Sequence, residues 1–295
     1  LFRAQNFYKG RENEPHVRDV WVAIGDAFLE LQTYEQAIWA YNKAISKPYH
    51  LNATNPEIHE RIVESFQDQG DITSADDEAS RLAVRYAPCA SKAKKAKNPL
   101  CGAWYAANEK NLEAMKKQRS IGEFMIIRAA TNIYARAVEI LDEYNASEPK
   151  DPALKEEYID LFNSAIARYR AFLTQYPEND RIYELTFRLA ESLFFSEQFL
   201  ASIEHYQWVR DHRNLGTRFF DKAAKNVVLA YERAAERMAK NGRIKPIAAP
   251  SLASIQALPS TDEQTIPPIY TNLQKSYDDY NKIVNEPSVA PQFAL

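Results

Sequence analysis

Glycine is scarce in this chain, with 7 residues among 295, whereas tyrosine and phenylalanine are frequent, at 17 and 14. A fold rich in β-structure needs glycine in its many tight turns. Packed helices instead use aromatic side chains to fill the space between them. The composition therefore argues against a turn-rich β-structure and favours a helical fold.

The chain also lacks a long uncharged stretch and a strong net charge. Charged residues interrupt every apolar run, so the sequence predicts no membrane-spanning helix. The net charge is −3 and the isoelectric point is about 6.1, which gives no bulk attraction to nucleic acid or to anionic lipid. The expected partners are therefore proteins or peptides, with self-association left open and no nucleic acid.

No sequence motif for catalysis or cofactor binding is present. The chain has no phosphate-binding loop, no dinucleotide-binding glycine turn, no nucleophile elbow and no His-Glu-x-x-His pair. His205 and His212 are seven residues apart, but without further ligands they are interpreted as exposed helical residues rather than as a metal site. We therefore expect a protein that is not an enzyme and that has no cofactor, metal ion or catalytic residue.

The two cysteines, Cys89 and Cys101, flank a basic segment that contains a proline. A bridge between them would stabilise the fold by about 3 kcal/mol in the chain-entropy model and would indicate an oxidising compartment. The alternative is two unpaired thiols, and the spacing does not decide between them. A metal site is less favoured, because two ligands are too few.

A regular pattern of large and small residues begins at Trp21. Its first half places bulky residues on one face of a helix around Gly25, and its second half places Ala and Tyr on a facing helix. Gly25 lacks a side chain, so the neighbouring helix can approach closely. Such a hairpin cannot bury its apolar face alone, so further copies are expected. The pattern is Trp21-x2-Ile24-Gly25-x2-Phe28-x8-Ala37-x3-Tyr41-x2-Ala44-x3-Pro48.

The same spacing recurs from His59 to Leu82 and from Thr186 to Val209. Two half-copies follow the same offsets less completely, one ending near residue 175 and one near residue 231. The segment 88–119 is polar and is predicted to be an irregular insert, with a helix break near Arg119. The sequence therefore predicts hairpins near 16–47, 56–87, 120–175 and 180–212.

These offsets resemble the tetratricopeptide-repeat (TPR) family, most strongly in the first copy. The resemblance implies an all-α, TPR-type α-solenoid of antiparallel helical hairpins that form a right-handed superhelix over residues 1–240. A generic helical bundle with chance spacing is the alternative. Residues 241–295 are predicted to be a long Pro-containing loop and a C-terminal helix that continues the solenoid. Because the chain starts at Leu1, we expect an excised piece of a longer protein.

In TPR arrays the first helices of successive hairpins line a groove that holds a peptide or a partner helix. On the matching positions, this groove would be acidic in the first two copies and aromatic in the later one. An acidic groove favours a basic partner segment, and the phenylalanines would anchor its apolar side chains. The alternative is that the acids are ordinary surface and the phenylalanines pack on the next repeat. The predicted groove residues are Asp19, Asp26, Glu60, Glu64, Phe187, Glu191, Phe194 and Phe195.

A second, shorter resemblance concerns the cellular role. Arg85-Tyr86-Ala87-Pro88, followed by Trp104-Tyr105-Ala106-Ala107-Asn108, resembles a junction in large envelope TPR proteins of gliding and predatory bacteria. The resemblance implies a scaffold that helps to assemble an envelope-spanning motility machine, in the periplasm or at the outer membrane. A cytoplasmic TPR adaptor or regulatory protein is the alternative.

Overall fold

The computed structural model describes residues 6–11, 14, 16–89, 102–245 and 266–284. Within these ranges the regular structure is helical and contains no strand. Helices α1 and α2, α3 and α4, and α8 and α9 are each joined by a short turn and pack against each other as hairpins. The predicted class, an all-α solenoid of helical hairpins, is therefore confirmed. The helices are α1 Val17–Glu30, α2 Tyr34–Ile45, α3 Asn55–Asp68, α4 Ile72–Arg85, α5 Ala103–Asn108, α6 Leu112–Ala146, α7 Pro152–Gln175, α8 Ile182–Phe195, α9 Phe199–Asp211, α10 Phe220–Lys240 and α11 Pro268–Val284.

Contacts within the chain divide it into two compact units, each of which is described by itself. The first unit comprises residues 1–150 and 167–177, and the second comprises residues 151–166 and 178–295. Helix α7 supplies residues to both units. The right-handed superhelical path of the whole chain stays a prediction.

Helices α1 and α2 pack face to face, as the first copy of the pattern predicts. Ala37, Tyr41 and Ala44 of α2 are fully buried, and Trp21 of α1 is 5% exposed. Gly25 lies against the Tyr41 ring, where a Cβ atom would come within 2.5 Å of Tyr41 Cδ1. The missing side chain of Gly25 is therefore what allows the two helices to meet at this distance.

Helices α3 and α4 form the second hairpin, and α6 packs on both of them. The Asp71 side chain accepts a hydrogen bond from the Ser74 amide at 3.0 Å and so caps the first turn of α4. Val63 of α3, Leu82 of α4 and Met125 of α6 belong to one buried cluster. One cluster of the first unit's core therefore joins α3, α4 and α6.

Helix α6 differs from the sequence prediction. The sequence predicts an irregular insert over 88–119, whereas one continuous helix already begins at Leu112. Its first two turns consist mostly of strong helix formers, and Asn111 caps them by accepting a hydrogen bond from the Ala114 amide at 3.1 Å. The charged residues that suggested a break near Arg119 lie on the exposed face of this helix.

In the second unit, α8 and α9 form a hairpin, and α10 packs on α9. The core is aromatic, since the Phe187 ring stacks on Phe219 with their centroids 4.4 Å apart. Helix α11 packs against α10, with Tyr280 in one cluster with Val228. The predicted Pro-containing loop falls mostly on 246–265, outside the described residues.

Candidate functional site

Asp26 is half-buried on α1 and already has two partners within the chain. Its Oδ1 accepts a hydrogen bond from the Tyr41 hydroxyl at 2.8 Å and pairs with the Arg61 guanidinium of α3 at 2.6 Å. Tyr41 itself is fully buried. The carboxylate that the sequence assigns to a partner therefore joins α1, α2 and α3, and its charge is compensated inside the chain.

We expect Asp26→Ala to lower the stability of the first unit by about 1–2 kcal/mol, because Tyr41 loses its acceptor and Arg61 its ion pair. Asp19→Ala is the matched control, because Asp19 lies on the same helix with its side chain 78% exposed. The control should change stability by less than about 0.5 kcal/mol. Hydrogen exchange of the α1 and α2 amides measures both variants, and equal effects would show that the Asp26 contacts are not stabilising.

The carboxylates of α3 lie along one helix face beside cationic residues of α6. Glu57 and Glu60 are half-buried and Glu64 is exposed, and their spacings of three and four residues place them on the same face. Burial and the charge of Glu64 raise the pKa of Glu60, whereas Lys117 and Arg128 act in the opposite direction. The group that we name the α3–α6 surface consists of Glu57, Glu60, Glu64, Lys117, Phe124 and Arg128.

Phe124 and Arg128 are functional candidates that the sequence analysis does not identify. Phe124 is 59% exposed, and the Arg128 guanidinium lies 5.7 Å from the centroid of its ring. Arg128 Nη1 also donates to Gln67 Oε1 of α3 at 2.8 Å, which fixes the guanidinium between the two helices. Phe124 follows Lys117 by seven residues and precedes Arg128 by four. These offsets place the three residues on one helix face, so the sequence could have identified them together.

The predictions for two groove residues are wrong. Phe187 is 0% exposed and packs in the core of the second unit, so it cannot touch a partner. Glu191 is 3% exposed, and its carboxylate pairs with Arg188 Nη1 at 3.0 Å and with Lys222 Nζ at 2.7 Å. The reason is that Phe219 and the first turn of α10 cover the face of α8 that the repeat pattern assigns to the groove.

Phe194 and Phe195 are half-buried at the end of α8. Phe195 stacks on Phe162 of α7 with the ring centroids 5.3 Å apart, and Phe194 meets Phe199 edge-on at the same distance. The sequence does not show which side chains pack beside Phe195. In the structure α7, whose repeat pattern is incomplete, fills part of this space. That these two rings bind a partner stays a prediction.

Cys89 is disulfide-bonded in the structure. Its predicted partner, Cys101, lies outside the described residues. Gly102, the next residue, lies against Cys89, because a Cβ atom on Gly102 would come within 2.7 Å of the Cys89 amide nitrogen. This proximity supports the pairing of Cys89 with Cys101, which stays a prediction.

In the part of the chain that the structure describes, no group of three or more His, Cys, Asp and Glu side chains is placed to hold a metal ion. His212, one of the two histidines considered above, has its Nδ1 2.8 Å from the Trp208 carbonyl oxygen, within its own helix turn. None of the described helices combines the length and the apolar character that a membrane crossing requires.

No protein-family model matches this chain, and no curated protein matches it. Among solved structures, the chain is similar to the crystal structure of the P58(IPK) TPR domain. The two chains are 14% identical, and the match covers 92% of this chain and 74% of that chain with a TM-score of 0.20. At this TM-score the similarity adds no argument to the helices and contacts described above.

Proposed function

We propose that this protein is a non-enzymatic interaction scaffold whose α3–α6 surface binds a basic, partly apolar segment of a partner protein. The observation that carries the proposal is the row of α3 carboxylates near Arg128, whose guanidinium lies against the exposed ring of Phe124. A lysine or arginine of the partner would lie against Glu60 and Glu64, and a neighbouring apolar side chain would pack on Phe124. Lys117 and Arg128 would orient the segment by repelling its other cations.

The ionisation of Glu60 gives this binding a physical basis. Burial and the charge of Glu64 raise the pKa of Glu60, so the ionised carboxylate is less favourable here than in water. A cation of the partner would offset this effect by placing an opposite charge beside both carboxylates. Covering Phe124 would add roughly 25 cal/mol for each Å² of apolar surface removed from water.

Reversing two charges, with Glu60→Lys and Glu64→Lys together, should slow association and flatten its salt dependence, because these carboxylates steer the partner. The probe is a fluorescein-labelled peptide in which lysines flank a central pair of phenylalanines. We expect the double variant to bind it at least about tenfold more weakly than the wild type at low salt. Stopped-flow fluorescence over a range of salt concentrations measures both rate constants.

The matched control for this experiment is Glu139→Lys with Glu143→Lys, since both residues are exposed and four apart on α6. The control should bind the peptide as the wild type does.

The affinity of the wild type for the peptide should also fall as the pH falls through the raised pKa of Glu60, because the protonated carboxyl carries no charge. Glu60→Gln should remove this dependence. Unchanged kinetics in the double variant would mean that the α3–α6 surface is not the interface.

The proposal extends to the compartment, which we take to be the bacterial cell envelope, with the protein in the periplasm or at the outer membrane as part of a larger assembly. The disulfide at Cys89 supports this, because such bonds persist in oxidising compartments and are rare in the cytoplasm. A cytoplasmic adaptor is the second candidate. The thiol state of the native protein distinguishes the two.

Protein isolated from its natural source should take up no alkyl group when it is alkylated under denaturing conditions without reduction. When it is reduced first and then alkylated, its mass should rise by two alkyl groups, because Cys89 and Cys101 are the two cysteines of the chain. The Cys89→Ser variant, treated in the same way, should take up one alkyl group without reduction. Two thiols alkylated in the unreduced wild type would contradict the bridge and favour the cytoplasmic adaptor.

A further inference from the structure

We propose that the second unit carries a separate docking site, which takes an apolar side chain of a partner segment that also bears carboxylates. The site is a cavity of about 440 Å³ between the α8–α9 turn and the C-terminal end of α10. This volume lies in the range of pockets that bind small ligands, so it has room for one apolar side chain. The proposal goes beyond the function proposed above, since it involves a different unit and a partner of opposite charge.

The floor of this cavity is apolar. Leu200 is 56% exposed on the first turn of α9, and the half-buried side chains of Phe199 and Met238 lie beside it. Phe199 and Met238 also belong to the cluster that joins α10 to α11, so the floor is fixed by the core of the unit. A fixed apolar floor with an exposed leucine suits the insertion of one apolar side chain.

The position of Leu200 is polar in the other hairpins. In the repeat register that aligns Ser202 with Ala37, Leu200 corresponds to Glu35 of the first hairpin and to Thr73 of the second. A glutamate in the first turn of a helix is stabilised by the helix dipole, whereas a leucine gains nothing there. Neither the helix dipole nor burial in the core stabilises Leu200, so its exposed surface is available to a partner's apolar side chain.

Cationic side chains border the apolar floor. Arg237 Nη1 donates to the Glu197 carbonyl at 2.7 Å and lies 3.5 Å from the Glu197 carboxylate. Lys155 Nζ pairs with the same carboxylate at 2.5 Å. Among the residues that line the cavity, Arg237 and Arg243 are cationic and Glu197 is anionic, which leaves an excess of one positive charge. Charge complementarity therefore selects an acidic partner rather than a basic one.

The backbone fixes the position of Arg243, and the start of α9 has no side-chain cap. The Arg243 amide donates to the Met238 carbonyl at 2.9 Å after Gly242, whose φ of 68° gives the left-handed residue that closes α10. At the start of α9, the Gln198 side chain forms no cap, and its Nε2 donates to Asn163 Oδ1 and Ser196 Oγ. The uncapped first turn of α9 therefore also favours a carboxylate.

Methyl NMR of protein labelled at the methionine Cε positions tests the site directly. Met238 lines the cavity, whereas Met115 and Met125 lie on α6 and serve as internal references. The probe is a peptide with a central Leu-Phe pair flanked by Asp and Glu, and the matched peptide has lysine at the acidic positions. We expect the acidic peptide to shift the Met238 signal alone and to bind at least about tenfold more tightly than the basic one.

Leu200→Glu installs the residue of the first hairpin at this position, and it should fold normally because the side chain is exposed and glutamate suits a first turn. It should weaken binding of the acidic peptide about tenfold or more, and so should Arg243→Glu. Leu215→Glu is the matched control, because Leu215 is 44% exposed at the opposite ends of α9 and α10. The control should bind as the wild type does.

Equal binding of the two peptides, a Met238 signal that does not move, or unchanged affinity in Leu200→Glu would overturn the proposal. So would tighter binding after residues 246–265 are replaced by a Gly-Ser linker of equal length, because the chain itself would then be the occupant. A Met238 signal that shifts with protein concentration in the absence of peptide would show that a second copy of the chain occupies the cavity. That result would also overturn the proposal. None of these readouts involves Glu60 or Phe124, so failure here leaves the α3–α6 proposal standing.

Discussion

Gly25→Ala should lower the stability of the first unit by about 1–3 kcal/mol, because an added methyl group overpacks the contact between α1 and α2. The new Cβ atom would lie 2.5 Å from Tyr41 Cδ1. The Tyr41 ring cannot move aside, since it is fully buried and its hydroxyl donates to Asp26 at 2.8 Å. Helix propensity alone predicts the opposite sign, a gain of about 1 kcal/mol.

Ala27→Gly is the matched control for this variant. Ala27 lies on the exposed face of α1, so its replacement should cost about 1 kcal/mol through helix propensity alone. Native-state hydrogen exchange of the α1 and α2 amides measures both variants without assuming that the two units unfold together. A Gly25→Ala protein as stable as the wild type would mean that α1 and α2 do not meet through Gly25.

Much of the fold follows from local offsets in the sequence. Spacings of three, four and seven residues identify the faces of α1 and α2, and the requirement for a side chain smaller than alanine at Gly25 follows from the same pattern. Where the pattern is incomplete, the prediction is wrong in a definite way. The sequence places residues up to Arg119 in a polar, irregular insert with a helix break, whereas Asn111 and strong helix formers extend one continuous helix back to Leu112.

The candidate site follows from the sequence less well, because its properties depend on pairs between helices. The pattern identifies Asp26 and Glu191 as polar positions on first helices, but it does not show that each already pairs with cations of its own chain. Phe187 is assigned to the groove by its offset, whereas the start of α10 buries it. Glu60 and Glu64 share a face through their offset of four alone, since residues four apart on one helix need no partner for this. That they bind a partner stays a prediction.

His59 illustrates the same limit and leads to the last prediction. It occupies the position of Trp21 in the second copy, so the pattern predicts a bulky core residue and nothing about its chemistry. In the structure His59 Nε2 donates to Glu78 Oε1 at 2.6 Å, and Nδ1 lies 3.2 Å from the Tyr86 hydroxyl oxygen. Burial lowers the pKa of His59 despite the hydrogen bond to Glu78, so the imidazole is neutral and needs that acceptor.

Glu78→Leu should lower the stability of the first unit by about 1.5–3 kcal/mol, because it leaves a buried imidazole N–H without an acceptor. Glu78→Gln is the matched control, since its carbonyl oxygen can still accept from His59 and its loss should be smaller. Arg81→Ala should matter least, because the Arg81 side chain is 69% exposed where it pairs with Glu78. A Glu78→Leu protein as stable as the wild type would show that the hydrogen bond is dispensable.

The dependence of this stability on pH provides an independent test. Because the folded pKa of His59 is lowered, the unfolded chain takes up a proton first as the pH falls below about 6.5, and stability declines. Burial opposes ionisation of Glu78, but the hydrogen bond from His59 and the charge of Arg81 outweigh it, so the pKa of Glu78 is lowered. Glu78 therefore stabilises the fold above its ordinary pKa of 4.5, and this contribution is lost as the pH falls through its folded pKa.

The stability difference between the wild type and Glu78→Leu, measured by urea unfolding from pH 8 to pH 3.5, should be largest above pH 4.5 and shrink below it. A difference that grows as the pH falls below 4.5 would contradict an ionised Glu78 that accepts a hydrogen bond from His59.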